Sequence, residues 1–324
     1  MKLPRKHIAL LASLGVYVLL YAAASVYYAD RNFFTPDVFL NFLRGGAVLG
    51  IIAVGETLVI LAGGIDLAVG AVMSLSSVVI GVLIMEVGLP PAVAIPAAIV
   101  LGGAIGLAMG AVIHYVDIKP FIVTLAGMFF ARGLGFIIHL ESISIEHPAY
   151  TRLVSLGLPL GGGHTLALTA VIFLAVVALA AYVTRYTSFG RNIFALGGSE
   201  EAALLMGLPV GRTKLLVYTA SGLCAGVAGA VLTFDQSSGT HGAGVGMELD
   251  AIAAVVVGGT LLTGGVGSIV GTLIGVLTIG LLREVIVNYV GNLNSGMTSL
   301  AIGLLLLLFV LLQRVLTRRG AQSM

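Results

Sequence analysis

The chain has 324 residues, of which 59% are hydrophobic and 9% are charged, and its formal net charge is +2. Soluble globular domains carry about 25% charged residues, so this composition excludes a water-soluble fold and makes the bilayer the solvent. Apolar runs of roughly 20 residues suit helices that cross about 30 Å of hydrocarbon, whereas the alternating segments of transmembrane strands are absent from the sequence. We therefore predict an all-α integral membrane protein, and nothing in the charge favours a nucleic-acid partner.

In chain order, the apolar runs predict a single transmembrane domain over residues 1–324, built as a helical bundle of about ten spans. The first run follows a basic start and reaches Ala29 without a small-residue cleavage pattern, so it is predicted to be a span and not a cleaved signal peptide. Two glycine-rich breaks interrupt the later runs, at 63–66 and 258–267. The predicted spans are 8–29, 38–61, 67–87, 91–114, 121–139, 164–184, 214–234, 250–262, 267–289 and 297–313.

The basic residues predict the orientation of these spans. With the N-terminus inside, the outer loops hold only Arg31 and Arg152, as the positive-inside rule requires. Both termini are then cytoplasmic, which needs an even number of spans, and eight spans with one re-entrant pair fit the same charges as ten. The basic residues on the inner side would be Lys2, Arg5, Lys6, Lys119, Arg185, Arg191, Arg212, Lys214, Arg314, Arg318 and Arg319.

The longest predicted inner loop, about 185–213, contains a short helix signature. Ser199 can cap the first free N–H groups, and Glu200 and Glu201 then lie at the positive end of the helix dipole. Gly207 can take the left-handed conformation that ends a helix, and a proline two residues later prevents continuation. Because such a helix between long spans needs a docking surface, we interpret this loop as the contact for a soluble cytoplasmic partner.

A weak internal echo relates the two breaks. Residues 54–58 (VGETL) precede the first break, and residues 257–261 (VGGTL) precede the second. Transporters often contain such repeats, although glycine-rich apolar sequence also recurs by chance.

Four segments together resemble a known family. The loop motif is Glu201-Ala202-Ala203-x-x-x-Gly207, and the others are 55–70 (GETLVILAGGIDLAVG), 120–128 (PFIVTLAGM) and 248–253 (ELDAIA). They resemble the permeases of ABC importers for ribose- and xylose-type sugars, and the likeness extends over about residues 40–315. The tract 142–148 (SISIEHP) further resembles the permease of galactofuranose importers.

The resemblance implies a function for the short helix. In this family the helix couples the permease to the ATPase subunit, and the residues that carry over to this role are Glu200, Glu201, Ala202, Ala203 and Gly207. The chain contains no G-x-x-x-x-G-K-[ST] phosphate loop, so another subunit must hydrolyse ATP. The chain is thus expected to be a transporter subunit without enzyme activity or a cofactor.

The resemblance also implies partners and a location. The expected partners are one or two ATPase subunits, a periplasmic or lipid-anchored sugar-binding protein, membrane lipid, and a second permease chain that is identical or related. The expected location is the bacterial plasma (inner) membrane. Two alternatives remain open: a permease of the branched-chain amino-acid type, and an ion-coupled secondary transporter, which paired intramembrane acids such as Glu56 and Asp66 would suit.

Polar residues in or beside the apolar runs are candidates for lining the sugar pathway. A charge in hydrocarbon costs several kcal/mol, so such residues face a cavity or one another. The alternative is structural pairing, and for Asp66 we favour capping of the next helix. Arg283 and Glu284 are adjacent and point about 100° apart, so we expect Arg283 to pair with an acid elsewhere. The pathway candidates are Glu56, Thr57, Asp66, Arg132, Arg283 and Asn288.

Overall fold

The computed structural model describes residues 5–28, 33–286, 296, 300–308 and 311, and within them the chain is mainly helical. Residues 300–308 are also helical. The elements are α1 (Arg5–Tyr27), α2 (Pro36–Gly45), α3 (Ala47–Leu61), α4 (Val69–Met85), α5 (Pro91–Tyr115), α6 (Pro120–Ile138), β1 (Ile143–Ser144), α7 (Pro148–Val154), β2 (Gly157–Gly161), β3 (His164–Ala167), α8 (Leu168–Tyr186), α9 (Ser188–Gly198), α10 (Glu200–Leu205), α11 (Val210–Gln236), β4 (Ser238–Gly239), α12 (Met247–Val257) and α13 (Ile269–Glu284).

Local sequence explains where many of these helices begin. Proline occupies the start of α2, α5, α6 and α7, where its missing N–H costs nothing and its fixed φ already suits a helix. Hydroxyl caps serve other helices: Thr187 accepts from the Gly190 N–H, and Ser268 accepts from the Gly271 N–H. These polar caps are short-range signals within a strongly apolar chain.

The centre of the bundle is α3, whose residues are all buried. It packs against α8, α11, α12 and α13, and α11 also packs along α4 and α5. Glycine brings α5 and α11 close together: a Cβ on Gly102 would lie 2.5 Å from the Gly222 carbonyl oxygen, and one on Gly226 would lie 2.7 Å from the Ile99 Cα. Lipid tails are as apolar as the side chains, so no hydrophobic effect drives membrane helices together. Close backbone packing is therefore a main source of attraction between them.

Four helices in the described part of the chain, α5, α6, α8 and α11, are long and apolar enough to cross a membrane. A fifth span results if α2 and α3, which bend by 54° at Gly46, are counted as one. Helix α4 is apolar but shorter. The chain is therefore a multi-pass helical membrane protein. The number of ten spans and the cytoplasmic location of both termini remain predictions.

Several predicted boundaries differ from the structure. The predicted span 38–61 is divided at Gly46, so that α2 diverges from α3 and leaves the Arg44 side chain exposed and paired with Asp235 at 3.1 Å. The predicted span 250–262 is α12, which ends at Val257. Its 11 residues extend about 16 Å, roughly half the hydrocarbon thickness. A helix of this length suits the re-entrant alternative better than a full span.

The prediction of purely helical structure is also too simple, because two short antiparallel strand pairs lie in the connections. Strand β1 pairs with β4, and β2 pairs with β3 to form a hairpin before α8. The predicted span 164–184 accordingly begins as strand β3 and becomes helical at Leu168. The predicted inner loop 185–213 is itself mostly helical, since it holds the end of α8, all of α9 and α10, and the start of α11.

The two predicted glycine-rich breaks separate α3 from α4 and α12 from α13. They meet in the structure, where the Gly265 N–H donates to the Leu61 carbonyl at 3.0 Å. The helices that flank the breaks are joined as well, since the hydroxyls of Thr57 in α3 and Thr272 in α13 lie 2.7 Å apart. The two segments of the sequence echo are not equivalent in the structure, because residues 54–58 lie within α3 whereas residues 257–261 begin at the last residue of α12.

Candidate functional site

Helix α10 has the two ends that its sequence predicts. The Ser199 hydroxyl accepts a hydrogen bond from the Ala202 N–H at 3.2 Å, which satisfies a free donor of the first turn. Gly207 has a φ of +72°, and the Leu208 N–H donates to the Ala203 carbonyl at 3.0 Å. This bond and the left-handed glycine form a Schellman stop. The predicted cap and stop are confirmed.

The two faces of α10 differ in exposure. Ala203 is fully buried and packs with Leu196 and Val210, a cluster against which Ala62, the residue before the first break, also packs. On the other side, three consecutive apolar side chains are exposed, and Leu205 is 90% exposed. The Lys214 ammonium holds Glu200 at 2.5 Å and so ties the start of α10 to α11. The exposed apolar residues are Leu204, Leu205 and Met206, and we call them the α10 tip.

We expect Gly207→Val to reduce transport strongly, because a β-branched side chain at φ +72° forces the end of α10 out of the Schellman stop. A Cβ at Gly207 meets no atom within 4 Å among the residues that the structure describes, so the expected effect comes from the backbone conformation and not from a clash. Gly207→Asn is the matched control, since asparagine tolerates the left-handed region. Uptake by vesicles with equal amounts of each variant is the measurement. Wild-type uptake by both the Val and the Asn variants would show that transport does not depend on this turn.

A second cluster of predicted residues lies at the first break. Glu56 and Asp66 are both buried, and the Asp66 N–H donates to the Glu56 Oε1 at 3.3 Å. The Asp66 carboxylate accepts from the Ser221 hydroxyl at 2.7 Å and from the Ala68 N–H at 2.9 Å. The prediction that Asp66 caps α4 is wrong, because α4 begins at Val69 and its cap position is Ala68, without a side-chain cap. Asp66 instead stabilises the turn before α4 through the Ala68 N–H.

Around the first break, one acceptor is unpaired among the described residues, and a small cavity adjoins the break. Glu56 Oε2 is buried without a hydrogen-bond partner among the described residues, and Thr57 is bonded to Thr272 and to the Ala53 carbonyl. A cavity of about 200 Å³ lies between the first break and the start of α10. Its lining includes Gly64, Asp117, Lys119, Glu200, Lys214 and Tyr218.

The third cluster surrounds Arg132 in α6. Its guanidinium donates to the carbonyls of His241 at 3.0 Å and Ala243 at 2.7 Å, in the segment that leads to α12. Two polar atoms here are buried and lack a hydrogen-bond partner in the described part of the chain, His241 Nδ1 and Glu248 Oε2. Sequence reasoning missed His241 and Glu248 as site residues, because neither interrupts a long apolar run.

Arg283 in α13 finds a distant acid, as expected. Its guanidinium donates to the Asp250 carboxylate near the start of α12, which bonds the two helices across the second break. Asn288 lies outside the described residues. The predicted candidates therefore do not form one site: Glu56, Thr57 and Asp66 lie around the first break, whereas Arg132 and Arg283 contact the segment 241–250.

Comparisons with known proteins agree with this architecture. Residues 38–312 match the family described as branched-chain amino acid transport system / permease component. The chain is 44% identical to the inner membrane ABC transporter permease protein YjfF of Escherichia coli, over 97% of this chain and 94% of that protein. It is 34% identical to the fructose import permease protein FruG of Bifidobacterium longum (99% and 95% covered) and 39% identical to the ribose import permease protein RbsC of Bacillus subtilis (93% and 91% covered). No solved structure gives a significant match.

Proposed function

We propose, from the premise that this chain belongs to the permease-component family of branched-chain amino acid transport systems, that it is the membrane subunit of a bacterial ATP-driven importer for a monosaccharide. The observation that carries the sugar assignment is the extent of the likeness to permeases named for ribose and fructose import, over more than nine tenths of this chain. The whole chain would form one permease domain in the plasma membrane. With both termini inside, α10 faces the cytoplasm, in keeping with the positive-inside rule.

The α10 tip supports a docking role for this helix. Exposed leucine and methionine side chains next to charged residues are typical of a protein interface, because their burial supplies most of the binding free energy. The partner that fits is the ATPase subunit, since the chain has no phosphate loop of its own. The buried face of α10, anchored through Ala203, would pass the motion of that subunit into the bundle.

In the mechanism that follows, a binding protein delivers sugar to the outer side of a pair of permeases. ATP binding closes the two ATPase subunits, and their movement displaces α10 in each permease. The displaced helices tilt as rigid bodies and switch access from outside to inside. Such a transition needs different contacts in its two states, which the docked ATPases provide. The second permease is an identical chain or a related one.

Among the pathway candidates, the contacts favour Arg132 for a role towards sugar. It is only partly buried, and within the described part of the chain the neighbouring His241 Nδ1 and Glu248 Oε2 have no hydrogen-bond partner that a sugar hydroxyl would have to displace. Glu56, Thr57 and Asp66 are enclosed around the first break, and Arg283 is paired with Asp250, which favours structural roles for these four residues.

The family description leaves amino-acid transport as a second candidate. The experiment reconstitutes the chain with its ATPase and binding protein in vesicles and compares uptake of ribose, arabinose, fructose, galactofuranose and leucine. We expect uptake of one monosaccharide that requires ATP and survives a proton uncoupler. Uptake of leucine alone would replace the sugar assignment, and uptake abolished by the uncoupler but independent of ATP would favour an ion-coupled transporter.

A further inference from the structure

Three glycine-containing turns meet backbone to backbone directly before α10. They are the first break at Gly63, the second break at Gly264 and Gly265, and the end of α9 at Gly197. A Cβ on Gly264 would lie 2.9 Å from the Gly63 Cα and 2.9 Å from the Gly197 carbonyl oxygen, and one on Gly265 would lie 2.9 Å from the Gly198 N. The three turns are distant in sequence, so tertiary packing alone brings them together. We call this contact the glycine joint.

Gly197 lies between the other two turns. A Cβ added there would overlap the Leu61 carbonyl oxygen and would lie 2.5 Å from the Gly265 N. These two atoms belong to the hydrogen bond that links the breaks, Gly265 N–H to Leu61 carbonyl at 3.0 Å. A side chain at Gly197 therefore requires that the end of α9 or one of the two hydrogen-bonded atoms move, so the three turns cannot keep their present contact. Among the described residues, the atoms nearest to Cβ positions added at Gly197, Gly264 and Gly265 are all backbone atoms, which cannot rotate away as the end of a side chain can.

The joint is connected to α10 in two ways. Only Gly198 separates Gly197 from Ser199, whose hydroxyl caps α10, so the chain path from joint to helix is very short. In addition, Ala203 on the buried face of α10 packs with Leu196 of α9, in a cluster against which Ala62, the residue before the first break, also packs. A displacement of α10 therefore acts on the end of α9, where Gly197 meets both breaks.

We propose that the glycine joint transmits the movement of α10 to α3–α4 and α12–α13 together, with Gly197 as the positioning residue that keeps the two breaks engaged. This inference rests on the proposed docking of α10 to an ATPase. Close-packed backbone shifts as a unit and does not deform gradually, so the two broken helix pairs move together and in register with the ATPase. A loosened joint leaves ATP hydrolysis intact and loses the link to transport.

The test compares Gly197→Ala with Gly198→Ala in the complete importer. A Cβ at Gly198 meets no atom of the described residues within 4 Å, which makes it a matched control one residue away. We expect Gly197→Ala to assemble with the ATPase and to hydrolyse ATP, but to import at least tenfold less sugar per ATP, whereas Gly198→Ala keeps the wild-type ratio. A purely structural role would lower assembly, hydrolysis and import in parallel. An unchanged ratio, or a parallel loss in protein that still assembles, overturns the proposal.

A second measurement decides the matter if Gly197→Ala does not assemble. In a Cys224→Ala background, Gly198→Cys places a thiol next to Ser199, which caps α10, and Leu262→Cys places one on the second break. Leu262 is three residues before Gly265, whose added Cβ would lie 3.0 Å from the Gly198 Cα. If the joint moves as one body, a short thiol crosslinker between them leaves ATP-driven uptake unchanged. Uptake that stops on crosslinking, and recovers with a cleavable reagent, overturns the proposal. Absence of ATP-driven uptake in the wild-type complex would contradict the proposed function instead.

Discussion

Leu205→Asp is expected to release the ATPase subunit from the permease. Leu205 is 90% exposed at the α10 tip, so the substitution leaves the folded permease intact and places a charge in the proposed interface. Loss of a central apolar anchor costs about 2 kcal/mol or more, which corresponds to roughly 30-fold weaker binding. The measurement is ATPase affinity for the purified permease in mild detergent, together with ATP-dependent uptake in vesicles.

Two controls sharpen this prediction. Leu205→Met keeps an apolar side chain and should bind the ATPase nearly as well as wild type. Leu160→Asp makes the same change at a residue that is 52% exposed in strand β2, away from α10, and should leave ATPase affinity unchanged. If Leu205→Asp binds the ATPase with wild-type affinity, the α10 tip is not the docking surface.

Asp66→Ala is expected to destabilise the first break severely. The substitution leaves the Ser221 hydroxyl and the Ala68 N–H without their acceptor, and the buried position of Asp66 excludes bulk water as a substitute. Each buried donor left unsatisfied costs about 1–3 kcal/mol. We expect a lower melting temperature of the purified permease by several degrees and a comparable loss of assembled importer.

Asp66→Asn separates this explanation from a pathway role. Asparagine keeps an oxygen for the Ala68 N–H, and its amide can donate to the Ser221 hydroxyl, which accepts as well as donates. The Asn variant should therefore retain most stability and an unchanged KM for sugar. Equal destabilisation by Ala and Asn, or a KM raised tenfold by Asn at normal stability, would contradict the structural role of Asp66.

Short-range signals allowed some features to be predicted from the sequence. The ends of α10 follow from Ser199 and Gly207, because a cap and a left-handed stop depend on residues within a few positions. The breaks at 63–66 and 258–267 follow in the same way from glycine. Hydropathy then indicated membrane helices, and in the described part of the chain four of them are long enough to span a membrane alone.

Other features depend on packing that hydropathy does not report. The bend at Gly46 and the short length of α12 occur inside segments predicted as continuous apolar spans. Helix α9 occurs inside a segment predicted as an inner loop. The strand pair β1–β4 joins residues far apart in the chain, so no local pattern announces it.

The candidate sites show the same division. An acid partner for Arg283 could be expected because an unpaired charge in hydrocarbon is costly, but its identity as Asp250 required the structure. His241 Nδ1 and Glu248 Oε2, which have no hydrogen-bond partner among the described residues, take their places from the way the segment before α12 folds onto α6. The glycine joint likewise depends on the meeting of three turns that are distant in sequence. At these positions the sequence predicts which kind of partner a side chain needs, but not which residue supplies it.

Vesicles containing only the purified permease give the most direct test of the account. The permease alone should carry no solute against a gradient, with or without ATP, an ion gradient or both. Addition of the ATPase subunit, binding protein and ATP should produce uphill accumulation in the same vesicles. Uphill transport by the lone chain would contradict the central claim that its movement is driven through α10 by a separate ATPase.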